Sequence, residues 1–435
     1  MLEDLLTQAL KQADQAEIFQ VSSLSTPISF EANRLKSVEA RDSSGVALRI
    51  IKNGRIGFSS TTDMSDMDGL VARAVEMLPF GAKTSINFPA ASEYADVVTF
   101  DQVTSDLKVE ALVEAGSKLI DKLHADWPDI VWSAGVSKSV SSTTLLNSNG
   151  CHAEETTSAI GIGMEGTLVK DTDMLFVFEG QSTCRPTIDT DAIIASIERK
   201  LNWAEHVAPP PTGSIPVIFT PNAVADLLLE PLLEGFNGRN IVQSSSPLIE
   251  KLGTLVLDPR LSVWDDPTLP FISGSGAFDG EGIPSSRLPL IKQGVIANFI
   301  YDLQTAAQAG ARSTGNAHRG LGSQPSPDTS VIVIDPGDTL FADMIAGYPK
   351  ALLVESFLGA GQGNTLGGDF SANVLLGYAV ENGKIIGRVK DTMVAGNVYT
   401  ILKDIEALGS ELEWVDGSLR TPAISCTGVS VSSKA

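Results

Sequence analysis

The chain has 435 residues, 43% of them hydrophobic, enough for a sizeable core and long enough for two or three domains. Acidic side chains outnumber basic ones 53 to 31, a formal charge of −22, which repels nucleic acid phosphates and disfavours direct DNA binding. The start of the chain shows no basic stretch followed by a long apolar one, and no apolar run nears the roughly 20 residues that span a bilayer, so a cytoplasmic protein without membrane contact is expected.

Leu2, Leu5, Leu6, Ala9, Leu10 and Ala13 recur at helical spacing and predict an amphipathic opening helix. Ile18–Leu24 and Ile28–Glu31 read as two strands. Lys52-Asn53-Gly54 separates two β-prone runs, and Asn-Gly there predicts a tight hairpin, because both central residues of a type I′ turn need positive φ. Ser65 with Asp68 resembles a capping box opening a helix that carries Met67, Leu70, Val71, Ala74, Val75 and Leu78. A second helix is expected from about Ser105. From Ile130 to Phe178 the pattern becomes an antiparallel meander, broken at Asn147–Gly150 and at Asp171-Thr172-Asp173. A helix over Asp189–Trp203 closes this half.

Pro209-Pro210-Pro211-Thr212-Gly213-Ser214 marks a boundary, since consecutive prolines favour extended geometry outside helix and sheet. Beyond it Val217–Thr220 reads as a strand, with Pro221 as the first residue of a helix capped by Thr220. Further helices are expected at Ala223–Leu233, Leu340–Ala346 and Val398–Ala407. Strands are expected at Ser330–Ile334, Ala351–Glu355, Val374–Val380 and Lys384–Val389, with a hairpin at Glu381–Lys384. The fold class is therefore α+β. A mixed N-terminal region over 1–208, divisible near residue 95, is joined by a linker at 209–214 to a β-rich domain over 215–435.

Several groups could carry chemistry. Asp265, Asp266, Asp279 and Glu281 suggest either a hard-cation site or turns whose carboxylates accept local N–H groups, and the turn reading is favoured. The glycine-dense stretch Gly359–Ser371 is either a mobile loop or a place where a peptide backbone can approach closely. Gly367, Gly368, Asp369 and Ser371 are the candidate cleft residues. His318 lies among Ser and Asp residues, but no GxSxG elbow supports a triad. Cys151, Cys184 and Cys426 lack CxxC spacing and read as packed thiols. The four histidines are scattered, none is followed by Glu, and no catalytic or metal-binding residue is assigned.

Taken in order, Asp265-Asp266-Pro267-Thr268-Leu269-Pro270, Phe278-Asp279-Gly280-Glu281-Gly282-Ile283-Pro284, Ser313-Thr314-Gly315-Asn316-Ala317 and Gly367-Gly368-Asp369-Phe370-Ser371 resemble the C-terminal half of the TldD/PmbA family. That family was once described as modulators of DNA gyrase, and the resemblance is to its PmbA (TldE) branch. Ser29-Phe30-Glu31 and Asn53-Gly54 match its general features. The catalytic branch carries His-Glu-x-x-x-His on the helix after the first C-terminal strand, and a cysteine ligand near its end. Here that helix reads Ala223–Gly235 without histidine, and only Cys426 falls in the later region. The resemblance thus implies a non-catalytic subunit with no cofactor of its own. Zinc is expected in a TldD-like partner, with a homodimer in the partner's absence, and the substrates are unfolded peptides, in proteolysis or peptide maturation. A peptide-binding regulatory module and an independent metal-free hydrolase are the alternatives.

Overall fold

The computed structural model describes residues 1–171 and 173–433; Thr172, inside the expected break of the meander, lies outside the described residues. Helix α1 (Leu2–Leu10) leads into β1 (Gln15–Glu31), β2 (Arg34–Val38), β3 (Arg41–Lys52) and β4 (Arg55–Thr61). Helices α2 (Met67–Met77), α3 (Gln102–Asp106) and α4 (Val109–Asp126) come next. The long strands β5 (Val131–Asn147), β6 (His152–Lys170) and β7 (Asp173–Thr183) follow, then α5 (Thr190–Trp203). The strands make one antiparallel sheet ordered β4-β3-β1-β5-β6-β7, with β2 paired to the end of β1.

Alternation along these strands sorts their side chains. Ile28 and Phe30 of β1, Trp132, Ala134 and Val136 of β5, and Ile160, Ile162 and Met164 of β6 are buried in the cluster that also holds Leu119 of α4 and Ile197 of α5. Residues between them stand on the other face and are small. Ser29 pairs with Gly135, Gly135 with Gly163, and Gly163 with Gly180, so one row across four strands has almost no side chain. This row floors a shallow concavity of about 550 Å³.

Local departures from the expected elements have local causes. The two short strands at Ile18–Glu31 are one continuous strand, because β1 is paired along nearly its whole length by β3 and β5. Asp66, not Ser65, caps α2 by accepting from Gly69 N–H at 3.0 Å, while Ser65 binds Asp63. The helix expected from Ser105 is broken at Leu107. Lys138 Nζ takes the carbonyls of Ser105 (2.9 Å) and Leu107 (2.5 Å), which a continuing helix would have used.

The second half opens with β8 (Gly213–Ser214), β9 (Val217–Phe219), α6 (Pro221–Ala223), α7 (Glu230–Glu234) and α8 (Gly238–Val242). Then come β10 (Val263–Asp265), β11 (Leu288–Lys292), β12 (Val295–Ile296), α9 (Leu303–Ala309), β13 (Ala317–His318), β14 (Ser326–Pro327), β15 (Ile332–Ile334) and α10 (Phe341–Ala346). The last stretch holds β16 (Lys350–Gln362), β17 (Asp369–Glu381), β18 (Lys384–Arg388), β19 (Thr392–Asn397), α11 (Val398–Ile401), β20 (Ile405–Val415), β21 (Leu419–Cys426) and β22 (Ser430–Ser433). All but β13 and β14 join one sheet, with parallel pairs at β9/β16 and β15/β21. Gly213 and Ser214, read as linker, pair with β22. The helix expected over Val398–Ala407 stops at Ile401, since Ile405 N–H donates to Asp258 (3.0 Å) and starts β20. Among the described residues no helix is long and apolar enough to cross a membrane.

The halves share interior. Ile218, Leu353, Tyr378 and Val380 of the large sheet lie in the same buried cluster as Trp132, Ile162 and Ile197. At the other end of β1, four buried charges meet. Arg49 binds Glu17 (2.9 Å) and Glu281 (2.7 Å), and Arg319 binds the same Glu17 (2.6 Å). The Arg319 guanidinium also lies over Phe19, 4.5 Å from the ring centre, and that of Arg49 lies over Phe88 at 4.9 Å.

Candidate functional site

The helix after β9 begins as the sequence expects. Thr220 Oγ1 accepts from Ala223 N–H at 3.4 Å, and Pro221 takes the first position, where no N–H is needed. Between α6 and α7 the backbone is π-helical over Val224–Leu229. Pro231 supplies the cause, having no N–H for the Leu227 carbonyl and a ring that would strike it in a regular turn.

Val224, Leu227, Leu228 and Leu232 enter the core, and Asp226 and Glu230 stay on the exposed side. Asp226 Oδ2 accepts from the N–H of Phe357 on β16 at 3.2 Å; although the residue keeps an exposed side, desolvation of the carboxyl against that strand pushes it up. Glu230 Oε2 stands 3.7 Å from the place a Cβ on Gly361 would occupy.

Strand β16 runs beside this helix with one side uncovered. It pairs with β17 on one side, and with β9 on the other only from Leu352 to Val354. Among the described residues no strand covers that other side beyond Val354; past Leu358, which is 60% exposed, the ladder to β17 is also interrupted until Gln362, and Gly359 and Gly361 take φ of +74° and +90°. An open strand edge offers N–H and C=O groups to another extended chain.

The structure brings Gly367, Gly368, Asp369 and Ser371 together at the β16–β17 tip, beside α7. Gly368 has φ +86°, and a Cβ there would lie 2.5 Å from the Tyr399 ring. One on Gly367 would lie 2.4 Å from the Asn364 amide. Both glycines thus shape the tip and do not face an open approach. Asp369 Oδ1 accepts from Asn397 Nδ2 (2.8 Å), and Ser371 pairs with both Gln362 and Ala395. Openness in this region belongs to the glycine bulge over Leu358–Gly361.

The acids of the sequence motifs bind backbone. Asp265 Oδ1 accepts from Ser330 and Val331 N–H (3.0 and 2.8 Å), and its other oxygen accepts from Asn316. Asp279 Oδ1 accepts from Glu281 and Ile283, and Oδ2 from Ala317. Glu281 reaches Leu303 N–H at 2.7 Å as well as Arg49. Burial pushes Asp265 up to about 6, and burial with the neighbouring Glu281 charge pushes Asp279 up to about 7. These groups hold loops together. Arg49, Arg319 and Glu17, which complete that arrangement, are absent from the motifs. Their trace in the sequence is an arginine set into the apolar run Val46–Ile51.

Other candidates are accounted for. His318 Nε2 lies 2.9 Å from Ser330 Oγ, and burial holds its imidazole low. Among the described residues no carboxylate hydrogen-bonds to this ring, so the pair lacks the acid that orients a triad. Cys426 is fully buried in the core that includes Leu227, and burial pushes its thiol up. Around α7 the oxygen donors are Asp226, Glu230 and Glu234, with no imidazole. Among the described residues no three His, Cys, Asp or Glu side chains converge as a metal site requires. The residues present do not fit a histidine-held zinc.

Residues 212–433 match the family model described as the PmbA/TldA metallopeptidase C-terminal domain, and residues 16–78 match that of domain 1. The chain belongs to the TldD/PmbA family. Over 93% of both chains it is 26% identical to an uncharacterised protein of Methanocaldococcus jannaschii. To a protein of Methanothermobacter thermautotrophicus named as a metalloprotease it is 25% identical, covering 94% of this chain and 91% of that one. Its fold is that of TldE from Thermococcus kodakarensis, with a TM-score of 0.91 over 99% of both chains at 24% identity.

Proposed function

We propose that this TldD/PmbA family member is the zinc-less subunit of a metallopeptidase assembly that cleaves unfolded peptides, in proteolysis or peptide maturation. One observation carries the reading. The helix after β9 stands beside an open strand edge, yet supplies no imidazole to hold a metal. The metal and the proton acceptor would then come from a TldD-like partner. Likeness in fold to TldE fits a subunit role. An extended peptide would meet the unpaired backbone groups of the glycine bulge over Leu358–Gly361 through main-chain hydrogen bonds, a contact that is tolerant of sequence. The Ser- and Gly-floored face of the first sheet suits a chamber wall, having few side chains with which to grip a passing segment.

Purification of the native complex, followed by reconstitution with a zinc-bearing family member, tests this. The lone chain should hold no stoichiometric zinc and leave an unstructured peptide intact, and the mixture should cleave it in a chelator-sensitive way. Cleavage by the lone chain in excess chelator would instead establish an independent hydrolase. A partner-free homodimer without activity in any mixture would establish a binding module.

A further inference from the structure

Strand β16 carries a bulge at Glu355. Val354 pairs with Gly377 and Ser356 with Leu376, so Glu355 is the extra residue between two successive pairs. Bulges re-aim side chains, and this one turns a carboxyl into the interior, with its side chain 3% exposed. Glu355 Oε2 lies 3.9 Å from Lys200 Nζ, which also binds Glu179 (3.0 Å) and the Phe178 carbonyl (2.9 Å). Among the described residues Glu355 Oε1 has no hydrogen-bond partner, and neither has Arg199 Nε. Both side chains line one small cavity, together with Thr220, Asn222, Glu411 and Glu413. Its volume is about 20 Å³. One water needs about 10–15 Å³.

Donor and acceptor chemistry selects the occupant. Glu411 and Glu413 add two carboxylates to the lining, yet among the described residues no three acids converge to hold a metal ion, and the Arg199 N–H and Lys200 behind Glu355 disfavour a cation; the carboxylates disfavour an anion. The two orphaned atoms are one donor and one acceptor, so the group that completes both must accept once and donate once. We propose that this cavity holds one bound water, accepting from Arg199 Nε and donating to Glu355 Oε1. It joins α5 of the first half to β16 of the second at the bulge, where a direct ion pair does not form. Burial pushes the Glu355 carboxyl up while Lys200 and Arg199 pull it down. A water serves either protonation state, because it can give or take a hydrogen bond. The site is independent of any peptide bound at the edge of β16.

A crystal structure of the full chain, at a resolution that shows ordered solvent, tests this directly. The expected result is one peak about 2.7–3.2 Å from both atoms. An empty cavity, a direct Arg199–Glu355 contact, or a peak ringed by oxygens at about 2.3–2.6 Å, as for a calcium ion, would overturn the assignment. Glu355→Gln keeps an acceptor oxygen and should keep the peak. Glu355→Met should lose it and lower Tm by about 5 °C or more, since buried Lys200 keeps only Glu179 as its carboxylate and Arg199 loses the acceptor the water bridged to. A peak that survives in Glu355→Met, or disappears in Glu355→Gln, counts against the proposal. If Glu355→Met does not fold, the wild-type and Gln maps decide.

Discussion

Arg49 and Arg319 reach one interior from opposite halves of the chain, and with Glu17 and Glu281 their charges sum to zero. Such a group is sensitive to the loss of one member. Arg49→Met should lower unfolding free energy by about 3–5 kcal/mol in a urea titration, because two carboxylates are left buried without it. A loss below about 1 kcal/mol would mean that water already reaches them. The loop carboxyls add a pH effect. Burial raises Asp265 to about 6 and Asp279 to about 7, so the native chain keeps protons that the unfolded chain releases near pH 4. Their contribution to stability is therefore present at low pH and falls as pH rises from about 4 to about 7. Asp279→Asn should flatten the decline in Tm between pH 5 and pH 8, and parallel curves for variant and wild type would refute this. The sequence shows Glu281 and Asp279 in a turn-forming string. It does not show Arg49 as their neighbour, because the partner lies 232 residues away and no pattern encodes that distance.

At the scale of elements, turn chemistry is legible and sheet pairing is not. Asn53 and Gly54 have φ of +50° and +67°, and Asn382 and Gly383 have +50° and +73°, as the two hairpin dipeptides require. The Thr220–Pro221 helix start is equally local. The π-helical stretch is legible only through Pro231, and the parallel pairs β9/β16 and β15/β21 are not legible at all, since their register depends on distant strands. The candidate cleft is partly legible. The glycine cluster falls on the β16–β17 hairpin, and the uncovered stretch lies ahead of Gly367, on the preceding strand. Leu358→Lys places a charge on that edge, as natural sheets do to prevent pairing. It should weaken peptide cleavage by the reconstituted complex about tenfold while Tm moves by less than about 2 °C, being a surface change. Unchanged cleavage would move the peptide elsewhere.

At the scale of the molecule, Trp132, Ile197, Leu353 and Tyr378 belong to one buried cluster that spans the two sheets. Calorimetry of the full chain should show a single unfolding transition, and residues 210–435 expressed alone should aggregate, with Tyr378 and Leu353 exposed. Two resolved transitions would mean that the halves fold apart.

The four-charge group also sets a schedule. Arg49 follows Glu17 by only 32 residues, but Glu281 is made 232 residues after Arg49, and Arg319 302 residues after Glu17. At about 5–20 residues per second, Arg49 waits roughly 12 to 46 seconds for its second partner. Through that interval the nascent sheet can neutralise only Glu17 against Arg49, across adjacent strands. The face they share stays wet until the second half arrives to cover it.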